Sequence, residues 1–140
     1  MADDAAGHGH GDRARLAMIL AVLETRCGLA FGGRDVYLSV AGGLRITEPA
    51  ADLAVAAALI SALADEPLPR DTVVFGEVAL SGEIRPAGRS DLRLKEAAKL
   101  GFANAFTPPQ KKGVTAGLRV KSVGHISELA ALIGPPERAR

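Results

Sequence analysis

Among its 140 residues the chain has no tryptophan, one tyrosine, four phenylalanines and one cysteine, and each shortage excludes something. Cys27 alone can form no intramolecular disulfide and has no second cysteine with which to build a zinc site, which favours a reducing compartment and hence the cytoplasm. With aromatics at 4% there is no platform for stacking bases, so contact with a nucleic acid would have to run through its phosphates. No run reaches the roughly 18 apolar residues that span a bilayer. The amino-terminal MADDAAGHGHGDR is acidic and contains Gly and His, where a signal peptide is basic and then apolar. GxxxxGK[ST] is also absent, and with it that device for holding ATP.

What is present is a small-residue interior. Apolar residues make up 48% of the chain and are mostly Ala, Val, Leu and Ile, so helices and strands must approach closely to bury them. The length suits one domain, which would bury roughly two thirds of its unfolded surface. The net charge is only +1, yet Arg85 to Lys121 holds nine basic residues against Asp91 and Glu96, a local +7, while the remainder carries −6. A local surplus of this kind steers a polyanion even when the sum is small.

Periodicity divides the chain. Residues 1–12 lack apolar content and read as a disordered tail; residues 13–134 read as the folded domain, and 135–140 as a polar tail. Leu16, Ile19, Leu20 and Leu23 fall at helical spacing, with Gly28 as a stop. DVYLSVAGGLRI alternates Val36, Leu38 and Val40 with polar neighbours, which predicts a strand or hairpin turning at Gly42 and Gly43. Thr47 suits an N-cap and Pro49 an early helical position, followed by an almost wholly apolar helix over Ala51 to Ala64. Gly76 and Gly82 punctuate two short strands in TVVFGEVAL and the residues after it. SDLRLKEAAKLGF predicts a helix capped by Ser90, with Leu92, Ala97 and Leu100 inward and Gly101 ending it. ANAFT and LRVKSV predict strands, and HISELAALIG a last short helix. This alternation gives an α/β or α+β layering of helices on sheet.

Three of these stretches, GGLRITEPAADLAVAAALISAL, DTVVFGEVALSGEIRPAG and LKEAAKLGF, stand in an order and spacing that resemble the carboxy-terminal Lon-protease-like domain of the RadA (Sms) family of bacterial DNA repair and recombination proteins. The resemblance covers about Arg13 to Ile133, and VVFGEVALSGEIRP carries most of its specificity. It implies a Lon-like fold of helices packed on small mixed sheets. It also implies duplex DNA as partner, read without sequence preference, and a homo-oligomer that is hexameric in the parent. In that family zinc, ATP and magnesium belong to a zinc finger and a RecA-like ATPase elsewhere in the parent. The resemblance therefore implies no cofactor and no metal for this chain.

Lon proteases place a serine in a turn at the start of the helix matching Ala51 to Ala64, and a lysine early in the later helix that takes its proton. The matching positions here are Ala50, which has no nucleophilic atom, and Asp91, a carboxylate. Lys95 lies one turn beyond Asp91 and would serve as a base only after a register slip, with no serine of that motif to serve. The expectation is a dead peptidase. An active serine peptidase using another serine, and a purely structural ring-forming module, are the alternatives.

The other polar candidates have plainer readings. His8 and His10 form a pair without a third metal ligand. Glu48 and Asp52, four apart, suit the positive end of a helix dipole better than a metal or acid pair. Glu77 is a lone carboxylate, and His125 an ordinary helix-terminus residue with no nucleophile placed near it by motif. The paired and turn glycines lack GxGxxG ahead of a helix. The feature with a positive functional argument is the basic segment: Arg85, Arg89, Arg93, Lys95, Lys99, Lys111, Lys112, Arg119 and Lys121 are the candidate DNA-binding residues. Arg89 with Arg93, and Lys95 with Lys99, are each one helical turn apart.

Overall fold

The computed structural model describes residues 2–32, 48–110 and 115–133, with side chains from residue 14 onward. Helix α1 spans Ala2–Cys27. Leu16, Ile19, Leu20 and Leu23 are all buried along one stripe of it, and it stops at Gly28, whose φ of 67° lies where glycine pays no Cβ penalty. The helix begins at Ala2, where composition leads one to expect a tail over residues 1–12. Once a packed nucleus exists, each further residue adds a hydrogen bond for little extra ordering. The strand or hairpin expected of DVYLSVAGGLRI and the Thr47 cap lie outside the described residues.

A 3₁₀ turn at Pro49–Ala51 leads into helix α2, Asp52–Ala64, which ends on Asp65 in the left-handed region. Seven of its residues are buried, as its almost wholly apolar sequence requires. Strands β1 (Thr72–Val74), β2 (Glu77–Val78) and β3 (Ile84–Arg85) follow, then helix α3 (Ser90–Lys99), strands β4 (Asn104–Thr107) and β5 (Arg119–Ser122), and helix α4 (Ile126–Ile133).

Strands β1, β4 and β5 form a parallel sheet in the order β1-β4-β5, and β2 pairs antiparallel with β3. The register puts Val73, Ala105 and Val120 side by side, and these three face α3 with Phe75, Leu94, Ala97 and Leu118. Val74 and Phe106, one residue on, face the larger core made by α1, α2 and α4. Period-two alternation thus separates two cores across one sheet, giving an α/β fold of three layers.

In two places α3 departs from the expectation. Leu92 is 50% and Leu100 68% exposed, and the inward residues are Leu94 and Ala97. At about 100° per residue these two define a stripe that leaves Leu92 roughly opposite. Ser90 is the first helical residue and its hydroxyl donates to the Ala87 carbonyl at 3.0 Å; the residue ahead of the helix is Arg89, with φ 60°. Gly101, φ 96°, ends the helix as expected, and the Phe102 amide closes it on the Ala97 carbonyl at 3.0 Å.

Candidate nucleic-acid interface

The turn at Ala50 is pinned to the end of β1 by its backbone. The Gly76 amide donates to the Ala50 carbonyl at 2.8 Å, and the Leu53 amide donates to the Gly76 carbonyl at 3.0 Å. Gly76 has φ 150°, and a Cβ there would meet Ile84 Cγ2 at 2.9 Å, so only glycine allows this close approach. The turn opens on a groove of about 790 Å³ between the start of α2, β1 and α3.

Ala50 lines this groove with a methyl group, and no serine lines it among the described residues. Asp91 is exposed at the start of α3 and is not part of its wall. Lys95 does line it, yet no hydroxyl stands there for a base to activate.

The carboxylate of Asp52, at zero exposure, has a different task. It accepts from Arg15 Nε at 2.8 Å and Nη2 at 2.5 Å, and from the Val78 amide at 3.1 Å. One buried group therefore ties α1 to α2 and to β2. The Arg15 guanidinium is held above its ordinary pKa chiefly by the Asp52 hydrogen bond, with partial burial opposing and the charges of Asp52 and Glu77 adding to the rise. Arg15 is the residue that motif reading passes over. Its signal is a lone cation inside an apolar helical stripe, matched by a lone carboxylate opening an apolar helix.

Glu48 is also occupied. Its Oε1 accepts from Arg93 Nη2 at 2.6 Å, while Arg93 Nε donates to the Gly88 carbonyl at 2.8 Å and the guanidinium lies 5.9 Å from the Phe75 ring centre. Arg93 thus fastens α3 to the turn before α2, and its charge is largely compensated.

The remaining candidate cations divide by place. Arg89, Lys95 and Lys99 line the rim of the groove, exposed, and make no ion pair among the described residues. Arg85 is exposed on the separate β2-β3 hairpin, opposite Glu77 in register. Arg119 and Lys121 flank Val120 on β5, so alternation turns them away from α3 and toward the side of the sheet that carries α1, α2 and α4. Lys111 and Lys112 lie outside the described residues.

His125 stands at the start of α4. Its Nδ1 accepts the Ser127 amide at 3.1 Å, and Glu128 Oε1 accepts the Gly124 amide at 2.6 Å and the His125 amide at 3.2 Å. This is a reciprocal capping box with histidine in the place usual for serine. The other ring nitrogen, Nε2, lies 3.3 Å from the Ser81 carbonyl, to which it donates when it carries the proton. Among the described residues no three His, Cys, Asp or Glu cluster to hold a metal ion, and no helix is long and apolar enough to cross a membrane.

Comparison with known proteins places the chain. The family model described as subunit ChlI of Mg-chelatase matches residues 11–111. The chain belongs to the ChlI family. The motifs do not by themselves point to that description. This ChlI-family chain is also similar to proteins named DNA repair protein RadA. It is 51% identical to that of Rickettsia bellii over 120 residues, covering 86% of the chain and 26% of the relative. It is 62% identical to that of Brucella abortus over 97 residues, 69% of the chain and 21% of the relative. It is 48% identical to that of Mycolicibacterium smegmatis over 115 residues, 82% of the chain and 25% of the relative. The chain spans about a quarter of the length of these relatives.

Proposed function

We propose that this chain is a non-proteolytic, Lon-like domain of a RadA-type DNA repair protein. It helps to hold a hexameric ring and lays a basic surface against duplex DNA during homologous recombination and branch migration. The observation that carries this reading is the identity with proteins named DNA repair protein RadA, 62% and 48% in two distant organisms. The chelatase in the family's description is the enzyme of which ChlI is a subunit; the repair role follows the relatives' names.

Physical support comes from two sides. Ala50 brings no nucleophile to the groove, so acyl transfer has no first step there. Arg89, Lys95 and Lys99 form an exposed cationic rim. Such a rim attracts phosphates through counterion release, a contact that carries no base sequence, and with no tryptophan and little other aromatic surface the chain offers little for stacking bases. The ATPase that drives branch migration, with its ATP and magnesium, and the zinc finger belong to the rest of the parent in this reading.

The test is binding of the chain to a fluorescent duplex across a salt series, with the mass in solution recorded on the same samples. The expected result is an affinity that falls steeply with salt and a multimeric mass. A folded multimer that fails to bind at low salt would leave only the scaffold role. Labelling of any serine by a serine-reactive probe, read by mass spectrometry, would restore the peptidase.

A further inference from the structure

The groove beside α3 has a composition that phosphates alone do not explain. Its floor and walls are apolar, from Ala51, Ala54, Val73 and Phe102, with Leu92 and Leu100 standing exposed at its margin. Its rim is cationic: the Arg93 charge is matched by Glu48, leaving Arg89, Lys95 and Lys99 against Glu96. Leucines exposed to 50% on α3 and 68% at its carboxy-terminal cap are costly to leave in water, and adjoining apolar walls make them a patch and not scattered residues.

Duplex DNA presents phosphates outward and keeps its thymine methyls recessed in the major groove, so it offers little to fill an apolar groove of about 790 Å³. A peptide can present both chemistries from one backbone. We infer that this groove docks a segment of a partner protein that carries apolar side chains among acidic ones. The apolar side chains seat between Leu92, Leu100 and the β1 wall, and the carboxylates meet Arg89, Lys95 and Lys99. The complementarity is of both kinds, apolar floor to apolar side chains and net positive rim to acids. The docking shares the cationic rim with DNA contact, so the two compete for Arg89, Lys95 and Lys99, while the apolar floor serves only the peptide.

The test uses the 140-residue chain and three fluorescein-labelled peptides of equal length, alternating Asp with Leu, Asp with Gly, and Lys with Leu. Fluorescence polarisation should show the Asp/Leu peptide binding about tenfold more tightly than either of the others, because burying even one exposed leucine is worth that factor. Leu92→Ser with Leu100→Ser should weaken the Asp/Leu peptide by about tenfold while duplex affinity stays unchanged. Both leucines are exposed, so the variant keeps its core, and the comparison among wild-type peptides stands without it.

Equal binding of the three peptides, or no saturation by the Asp/Leu peptide at about 1 mM, would overturn the inference. A fall in duplex affinity on the Leu→Ser changes would assign the groove to DNA instead. Conversion of a wild-type multimer to a monomer by the same changes would assign it to a second copy of the chain.

Discussion

Asp52 is the residue on which α1, α2 and β2 converge, and its energetics are lopsided. The carboxylate has no exposure, whereas the Arg15 side chain keeps 30% of its own. Removing Arg15 strands a buried charge, which costs about 3–5 kcal/mol. Asp52→Asn keeps an oxygen for the Val78 amide and returns Arg15 to water, so it costs less. Urea denaturation should therefore show a larger fall in stability for Arg15→Met than for Asp52→Asn; the reverse order would mean that the pair is not the pin the geometry describes. That Asp52 is structural is readable from its place at a helix start, but its partner is not, because Arg15 lies 37 residues away in the chain.

For single elements, the start of α4 shows how local chemistry sets a helix. HISE places histidine at the cap and glutamate three residues later, and the structure closes both halves of the box. Glu128 is exposed and its carboxylate accepts two cap amides, so Glu128→Ala should lower stability by about 1 kcal/mol, through the cap. Hydrogen exchange at the Gly124 and His125 amides should speed up while the α2 amides stay protected. Unchanged exchange at those two amides would remove the box. Helix α3 shows the opposite limit. A leucine-rich helix offers two plausible stripes, and only packing against Phe75, Ala105 and Leu118 selects Leu94 and Ala97 over Leu92 and Leu100.

Across the whole molecule the charge segregation becomes geometry. A surplus of +7 over Arg85 to Lys121 is read from the sequence, but among the described residues the fold splits its cations between the rim beside α3, the hairpin and the opposite side of the sheet. If the rim meets duplex DNA, Lys95→Gln with Lys99→Gln should reduce the slope of log affinity against log salt by about 2. Arg119→Gln with Lys121→Gln should leave that slope unchanged, because those side chains project from the other face. Equal effects from the two pairs would mean that the duplex wraps both faces. Arg93→Gln should affect the slope least among the α3 cations, its charge being already matched by Glu48.

Read without any structure, the chain already declares the types of the elements described from residue 13 onward, the stops at Gly28 and Gly101, the lack of a nucleophile at Ala50 and the surplus of positive charge after Arg85. These are local properties. Periods of 3.6 and 2 residues, the conformational freedom of glycine and the chemistry of a side chain need only neighbours along the chain. The burial of Asp52 against Arg15, the matching of Arg93 by Glu48, the exposure of Leu92 and Leu100 and the separation of Lys95 and Lys99 from Arg119 and Lys121 were decided by tertiary structure. Each depends on segments far apart in sequence being brought together. A helix or strand sets the direction of its side chains relative to one another, and only packing sets what those directions face.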